Sequence, residues 1–325
     1  MARENWILHE CEKQNIIDLA RELDIFPVTA RLLINRGITD TAHARAFLEK
    51  SSDHFHDPFA LPDIKEAAER LLSAVRTGER IAVYGDYDAD GVSAVCILYD
   101  YLNAIGAVVE YYIPDRAAEG YGLHADVLRQ LAASGTRLVV TVDTGVTALE
   151  EAELARTLGV DLIVTDHHAC PKSLPQCCAV VNPKRQDSAY PFAGLAGVGV
   201  AFKLMCACEM LRNPGEQAQK SAVAQLCRTY GAVCAIGTIA DMVPLLDENR
   251  LIASLGLGLI GCDAHPGVTA LLRQAGAYTE HNSEKRKFSA SLVSFTIAPR
   301  INAAGRMGCA ESALRLLLSK SEEEA

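Results

Sequence analysis

The sequence has 325 residues, of which 50% are hydrophobic and 22% charged, and its formal net charge at pH 7 is −10. This composition is typical of a globular protein with a sizeable core, and it excludes a disordered or fibrous chain. An acidic chain cannot hold nucleic acid by bulk attraction, so any such binding needs a local basic strip or bound metal ions. The length predicts two domains, or one large domain with an appendage.

Neither a membrane segment nor a disulfide framework is indicated. No stretch of about 18 uncharged apolar residues is present, and the most apolar stretch, residues 232–246, contains Asp241. Residues 1–6 lack the apolar segment of a signal peptide. The 11 cysteines include no CxxC pair, which argues against structural zinc, and their mostly apolar neighbours are typical of reduced thiols. We therefore expect a cytoplasmic protein that does not contact a membrane.

Residues 1–78 predict a helical N-terminal region. Apolar side chains recur at helical spacing at Ile16, Leu19 and Leu23, and an amphipathic pattern covers residues 64–75. Pro27 is placed to begin a second helix, and Asp40 is placed to cap a third.

Residues 79–262 predict an α/β domain. Short apolar runs alternate with amphipathic segments, which is the pattern of a parallel β-sheet with helices on both faces. The predicted strands are residues 81–84, 108–113, 138–142, 162–165 and 179–181, and the predicted helices between them are residues 93–105, 124–133 and 147–158.

The chain becomes mainly helical again from residue 200. Residues 263–325 are predicted to be a connecting region with a polar loop at 280–287, an arginine-containing loop at 299–306 and a last helix at 310–318. The predicted fold is therefore α/β: a parallel β-sheet flanked by helices, with a helical N-terminal preface and a helical C-terminal extension.

Acidic and imidazole side chains follow three of the predicted strands. The first strand leads into Asp86, Asp88 and Asp90, the next into Asp143, and the one after it into Asp166, His167 and His168. Ligands of open parallel sheets bind beyond the carboxyl ends of the strands. Carboxylates so close in sequence repel one another unless a cation lies among them, and oxygen ligands with one or two imidazoles suit Mn²⁺ or Mg²⁺.

Each of these motifs alone also has a structural interpretation: a solvated turn, a strand-to-helix cap, or a structural histidine pair. Asp241 adds independent weight, because it interrupts the otherwise apolar residues 235–246, which are interpreted as one helix. A buried ionised carboxylate needs a cation, a cage of hydrogen bonds or a raised pKa. Taken together, the motifs predict a metal site.

The motifs resemble those of the DHH phosphoesterase superfamily. The likeness rests first on Gly-Asp-Tyr-Asp-Ala-Asp-Gly at 85–91, Asp-Thr-Gly at 143–145 and Asp-His-His at 166–168. Within that superfamily, the sequence most resembles the RecJ family of single-strand-specific exonucleases. This narrower resemblance rests on the motifs at 182–184, 190–192, 197–203, 240–241 and 299–306. Ala298 departs from the glycine usual in that family. The resemblance also implies a second, DHHA1-like domain with an OB-fold after it, which this sequence does not reach.

The resemblance implies a role for each residue of the site. Two Mn²⁺ or Mg²⁺ ions would be held by a set of metal ligands comprising Asp88, Asp90, Asp143, His167 and Asp241. Asp86 would act beside them, and His168 would face the scissile phosphate. Because adjacent residues at a strand end point to opposite sides, His167 and His168 are expected to divide metal binding from turnover.

The remaining implied residues bind substrate. Arg300, Asn302 and Arg306 would grip phosphates, and Asp86, His168 and Arg300 form the expected catalytic group. The implied function is a 5′→3′ exonuclease on single-stranded DNA in repair and recombination, with a single-strand-binding protein or a helicase as candidate partner. Two alternatives stay open: a phosphodiesterase of short oligonucleotides or cyclic dinucleotides, and a non-catalytic binding module. The oligomeric state is not predicted.

Overall fold

A computed structural model describes residues 10–261, 265–277 and 288–325, and the chain divides into two compact units, residues 1–54 and 55–325. The predicted polar loop at 280–287 and the first six residues lie outside the described residues.

The smaller unit is a three-helix cluster, as predicted. Its helices are α1 (Lys13–Leu23), α2 (Pro27–Ile34) and α3 (Thr41–Leu48). Pro27 occupies the first turn of α2, where its missing N–H costs nothing. Asp40 caps α3 by accepting a hydrogen bond from the His43 backbone N–H. The buried residues of this cluster are Leu19, Ala20, Ala30, Leu33 and Ala44.

The larger unit is built on a five-stranded parallel sheet. All five predicted strands are present: β1 (Arg80–Gly85), β2 (Val108–Tyr112), β3 (Thr136–Val142), β4 (Asp161–Thr165) and β5 (Ala179–Val181). Their order across the sheet is β2-β1-β3-β4-β5, and every pairing is parallel. The strands β1, β3 and β4 are therefore neighbours, and their carboxyl ends share one edge of the sheet.

Helices cover both faces of this sheet. The first four in this unit are α4 (Ile64–Thr77), α5 (Ala89–Ala104), α6 (Ala125–Ala133) and α7 (Leu149–Thr157). One face of the sheet packs against α4, α5 and two later helices, and the other face packs against α6 and α7. Successive residues of β1 alternate between the two cores, since Ile81 and Val83 belong to one and Ala82 and Tyr84 to the other.

The chain after the sheet is helical, as expected. It comprises α8 (Gly197–Arg212), α9 (Glu216–Ala240), α10 (Asp247–Leu257), α11 (Pro266–Gln274), α12 (Ala290–Leu292), a π-helical turn (Val293–Ile297), α13 (Ala298–Arg306) and α14 (Ala310–Leu318). Helix α9 is the one described helix long and apolar enough to cross a membrane by length and composition, although the sequence indicated none. About two thirds of its most apolar window, 67%, is buried inside the protein.

Several predicted boundaries differ from the structure. Helix α4 and the described part of residues 263–325 belong to the same compact unit as the sheet, because α4 packs on α8 and α14 packs on α5. The predicted helix at 235–246 ends at Ala240, and Met242 adopts a left-handed backbone conformation that a helix cannot continue through. The predicted loop at 299–306 is a helix, so Ala298, at its first position, needs no glycine-like freedom.

A buried ion pair joins α8 to the start of α10. The Lys203 ammonium lies 2.9 Å from a Glu248 carboxylate oxygen, and both side chains are almost fully buried. Glu248 also accepts hydrogen bonds from the Tyr190 hydroxyl and from the His56 backbone N–H. The Lys203 ammonium donates to the His56 carbonyl. The motif residues Tyr190 and Lys203 therefore stabilise the buried core through Glu248 and do not belong to the acidic cluster at the sheet edge.

Glu248→Ala should lower the free energy of unfolding by about 3–5 kcal/mol, because it leaves the Lys203 charge buried without its partner. Urea denaturation measures the change, with the exposed Glu150→Ala on α7 as a control that should shift it little. A loss below about 1 kcal/mol would mean that the pair does not hold these elements together.

Candidate metal centre

The acidic residues that follow the neighbouring strands β1, β3 and β4 converge at one edge of the sheet. Three groups have ligand atoms within 4.8 Å of one another. They are Asp86 with Asp88 and Asp143, Asp90 with His167 and Asp241, and Asp143 with His167 and His168. Asp143 and His167 each belong to two groups, so the three groups form one continuous cluster. The structure thus brings together all five predicted metal ligands, along with Asp86 and His168.

Several polar atoms in this cluster are buried without a hydrogen-bond partner among the described residues. They are Asp86 Oδ1, Asp143 Oδ1, both ring nitrogens of His167 and Asp241 Oδ2. The His167 Nε2 and Asp143 Oδ1 atoms lie 3.1 Å apart but do not meet hydrogen-bond geometry. Unpaired buried charges are very costly, whereas carboxylate oxygens are the usual ligands of Mn²⁺ and Mg²⁺, and a neutral imidazole nitrogen can complete the site of a transition-metal ion such as Mn²⁺. The residues present therefore fit divalent cations.

The cluster destabilises its own charges when no cation is bound. Burial, reinforced by the charge of Asp88, raises the pKa of Asp86 to about 7 and that of Asp241 to about 6. Burial and neighbouring carboxylates also raise the pKa of Asp90 and Asp143 well above the usual value. Burial lowers the pKa of His167 to about 4, which leaves the imidazole neutral and able to bind metal.

Two helix N-termini organise the first acidic motif. Asp88 caps α5, since its Oδ1 accepts hydrogen bonds from the backbone N–H groups of Asp90 and Gly91, both at 2.9 Å. Asp90 accepts hydrogen bonds from Gly197 N at 2.7 Å and Val198 N at 3.0 Å, at the start of α8. The positive end of each helix therefore steadies a carboxylate that would otherwise be repelled by its neighbours.

Asp143 adopts a backbone conformation that most residues avoid. Its φ of 59° places it in the left-handed region, which asparagine and aspartate tolerate best. Its carboxylate lies directly against α8, because a Cβ added at Gly197 would come within 2.4 Å of Asp143 Oδ1. Glycine at 197 is thus required for the helix to approach this carboxylate.

Asp166, to which the sequence analysis gave no role of its own, orients the histidine pair. Its Oδ1 accepts hydrogen bonds from His168 Nδ1 at 2.8 Å and from the backbone N–H groups of both histidines. Its Oδ2 accepts one from Val146 N at 2.9 Å. Burial alone would raise the pKa of Asp166, but these hydrogen bonds outweigh it and lower the pKa. The hydrogen bond to Asp166 in turn raises the pKa of His168.

The two histidines differ in exposure more than in direction. The His167 side chain is 7% exposed and the His168 side chain is 47% exposed. Their ring centroids are 4.5 Å apart, and His168 Nδ1 lies 4.0 Å from Asp143 Oδ1. Both rings therefore border the cluster instead of pointing to opposite sides as expected. The reason is that β4 ends at Thr165, so strand alternation does not extend to these residues.

Tyr121 is a second residue that sequence reasoning missed. Its hydroxyl lies 3.2 Å from His168 Nδ1 and donates to the Asp143 carbonyl at 3.3 Å. The two rings meet edge to face at a centroid distance of 5.7 Å. The sequence signal that could have placed Tyr121 near the site is its position after β2, the strand beside β1.

The three predicted phosphate-binding residues lie on α13, but their side chains do not all leave the helix on the same side. Asn302 Oδ1 accepts a hydrogen bond from Ala89 N at 2.8 Å, so this side chain holds α13 against the start of α5. Arg300 is exposed and donates to the Thr296 carbonyl at 2.7 Å. Residues two apart on a helix differ in direction by about 200°, so Arg300 leaves the helix on another side from Asn302. Arg306, four residues after Asn302, lies closer to the face of Asn302 and is exposed.

Gly305→Ala should impair activity although the residue carries no functional group. The added Cβ would lie 2.2 Å from the Tyr87 carbonyl oxygen, so α13 must move away from the acidic turn. We expect a loss of about 1–3 kcal/mol in stability and a reduced rate of Mn²⁺-dependent cleavage. Thermal denaturation and a cleavage assay test this, with Ala303→Ser at an exposed position of the same helix as the control. Wild-type stability and rate in Gly305→Ala would show that the close contact is unimportant.

Comparison with known proteins identifies the family. Residues 80–238 match the family described as "DHH family, N-terminal domain". Single-stranded-DNA-specific exonuclease RecJ of Bacillus subtilis (strain 168) is 40% identical over 320 residues, covering 98% of this chain and 38% of that protein. The RecJ of Escherichia coli (strain K12) is 37% identical, covering 98% of this chain and 54% of that protein. The chain therefore spans about half the length of these relatives, or less.

Solved structures give the same result. A crystal structure of exonuclease RecJ bound to manganese matches with a TM-score of 0.71 and 38% identity, over 82% of this chain and 63% of that one. RecJ of Thermus thermophilus in complex with Mn²⁺ matches with a TM-score of 0.75 and 32% identity, over 96% of this chain and 42% of that one. The predicted α/β fold is thereby confirmed.

Proposed function

Because the chain belongs to the DHH family, we propose that it is a divalent-metal-dependent exonuclease that hydrolyses phosphodiester bonds of single-stranded DNA in the 5′→3′ direction. The observation that carries the proposal is the continuous cluster of carboxylates and imidazole at the sheet edge, with buried atoms that no described residue satisfies. The similarity to proteins named as single-stranded-DNA-specific exonucleases supports the substrate class. The proposed setting of this activity is DNA repair and recombination.

Each residue of the cluster has a proposed role. Two Mn²⁺ or Mg²⁺ ions would be held by the set Asp88, Asp90, Asp143, His167 and Asp241, all with ligand atoms in the cluster. When bound, such ions neutralise phosphate charge and lower the pKa of water. Asp86 borders the same site, and its raised pKa favours proton exchange near neutral pH in the absence of metal.

His168 is suited to act on the phosphate rather than to hold metal. Its Nδ1 is hydrogen-bonded to Asp166, which fixes the tautomer and leaves Nε2 available in a side chain that is 47% exposed. The raised pKa of His168 favours the protonated form, which can stabilise phosphate charge or protonate a leaving oxygen. Asp166 is then a positioning residue, and Tyr121 packs against the ring.

Arg300 and Arg306 are proposed to bind phosphates of the strand, because a guanidinium fork matches phosphate geometry. Asn302 contributes by holding α13 on the acidic turn. The same function places the protein in the cytoplasm, where a single-strand-binding protein or a helicase is the proposed partner, and it involves no membrane.

Digestion of 5′- and 3′-labelled DNA tests the proposal. Single-stranded DNA should be shortened from its 5′ end in Mn²⁺, and neither EDTA-treated samples nor blunt double-stranded DNA should react. Faster turnover of dinucleotides or cyclic dinucleotides than of longer strands would favour the short-substrate alternative. Absence of any hydrolysis by a metal-loaded chain would favour a non-catalytic binding module.

A further inference from the structure

We propose that Arg116, on the loop between β2 and α6, pairs with Arg306 to bind one backbone phosphate of the DNA strand beside the scissile phosphate. The inference rests on the proposed function and adds a substrate-binding residue to it. Neither the family motifs nor the strand-end argument pointed to Arg116.

Arg116 is held directly over the acidic turn. Its guanidinium carbon lies 5.2 Å from the centre of the Tyr87 ring, a cation–π arrangement. Tyr87 stands between Asp86 and Asp88, which both belong to the candidate metal centre. The guanidinium is therefore placed at the border of the candidate metal centre.

The end of α13 approaches the same place by two close backbone contacts. A Cβ at Gly305 would lie 2.2 Å from the Tyr87 carbonyl oxygen, and a Cβ at Gly308 would lie 2.6 Å from Asp115 Oδ2. Gly308 also has a positive φ of 70°, which favours glycine. Arg306 lies between these two glycines, and Arg116 follows Asp115 in the chain. Both arginines thus belong to the segments that meet around Tyr87.

Apart from the contact of Arg116 with the Tyr87 ring, neither guanidinium is paired with another side chain in the part of the chain that the structure describes. Both side chains are exposed, and no described carboxylate lies within 4.0 Å of either one. Other arginines of the larger unit do form ion pairs with carboxylates: Arg70, Arg129, Arg156, Arg185 and Arg212. In a chain with 41 acidic and 31 basic residues, two such arginines beside an acidic cluster are available for an anion.

The loop that carries Arg116 is organised by its own hydrogen bonds. Asp115 Oδ1 accepts from Ala117 N at 2.8 Å and from Ala118 N at 3.0 Å. Glu119 accepts from Asp115 N at 3.1 Å and from the Tyr112 hydroxyl at 2.8 Å, which ties the loop back to β2. A prearranged loop loses less conformational entropy when it binds a ligand. The position of Arg116 is therefore a property of the free protein.

The experiment compares Arg116→Ala, Arg306→Ala and the double variant, with Arg137→Ala as the matched control. Arg137 is exposed at the amino end of β3, opposite the site. Each site variant should raise KM for a single-stranded oligonucleotide about tenfold with a smaller change in kcat, because one charge-assisted contact is lost. The double variant should lose less than the product of the two single losses, since both side chains bind one phosphate. Loss of the shared phosphate contact in the double variant should reduce the dependence of log KM on log salt by about 0.7.

A substrate without a neighbouring phosphate separates this inference from the proposed function. With bis(4-nitrophenyl) phosphate, Arg116→Ala should lose less kcat/KM than with the oligonucleotide. If Arg116→Ala matches Arg137→Ala in KM and salt dependence, the arginine pair is wrong while the exonuclease proposal stands. If the wild-type chain hydrolyses neither substrate in Mn²⁺, the exonuclease proposal fails. Fluorescence anisotropy of a labelled oligonucleotide then tests the pairing of Arg116 with Arg306 through DNA binding, without relying on catalysis. Unchanged binding by Arg116→Ala would overturn the proposed pair.

Discussion

Asp143→Asn should reduce Mn²⁺-dependent cleavage of single-stranded DNA by at least about 1,000-fold, equivalent to about 4 kcal/mol of transition-state stabilisation. Asp143 belongs to two of the three ligand groups, so its loss removes the carboxylate that connects them. Asparagine tolerates the left-handed backbone conformation at this position, so the substitution changes charge without straining the chain. Release of labelled nucleotides from an oligonucleotide measures the effect.

The same substitution should stabilise the metal-free protein. Burial raises the pKa of Asp143 above its unfolded value, so its contribution to stability is lost as the pH rises and the carboxylate ionises in the fold. At pH 8 in EDTA, Asp143→Asn should therefore have a higher Tm than the wild type and a smaller Tm increase on addition of Mn²⁺. The exposed Asp126→Asn is the control and should change neither quantity. Cleavage by Asp143→Asn within tenfold of the wild-type rate would contradict the assignment.

His167→Ala and His168→Ala should fail in different ways. His167 is buried between Asp143 and Asp241, with Nδ1 3.7 Å from Asp241 Oδ2, so its removal should weaken Mn²⁺ binding. His168 is half exposed and hydrogen-bonded to Asp166, so its removal should leave Mn²⁺ affinity near that of the wild type. Turnover by His168→Ala should still fall about 100- to 10,000-fold, the usual effect of losing a proton-transferring group.

Calorimetric titration with Mn²⁺ and single-turnover cleavage separate these two effects. His43→Ala, in the smaller unit and well exposed, controls for a general effect of removing an imidazole. The ligand atoms of His167, His168 and Asp143 lie within 4.8 Å of one another, so the geometry also permits His168 to bind metal. An equal loss of Mn²⁺ binding in both variants would refute the division of roles.

The parts of the fold that follow hydrophobic periodicity could be predicted from the sequence. All five strands and the three N-terminal helices are present near the predicted positions, because alternation and helical spacing reflect which side chains are buried. The convergence of Asp86, Asp143 and Asp166 could also be predicted, since parallel strands place their carboxyl ends at one edge. That inference needed only the strand assignments.

Features that depend on tertiary contacts could not be predicted. The end of α9 before Asp241 depends on the left-handed backbone at Met242, and apolar composition continues past that point. Asp166 and Tyr121 both form hydrogen bonds to His168. Asp166 lies beyond the end of β4, and Tyr121 lies in a segment distant from His168 in sequence, so no periodic pattern indicates either contact. Arg116 lies in a polar loop without a periodic pattern. Its position beside the acidic cluster follows from its contact with Tyr87 and from the packing of α13 against Tyr87 and Asp115.

Titration of the protein with Mn²⁺, followed by the electron paramagnetic resonance signal of free Mn²⁺, tests the central claim most directly. The claim is that the carboxylates at the ends of β1 and β3, together with His167 and Asp241, form one site for two divalent ions. The account predicts that the wild-type chain takes up two Mn²⁺ ions at micromolar concentrations and that Asp143→Asn takes up fewer. Uptake of one ion or none by the wild-type chain, or equal uptake by both chains, would contradict it.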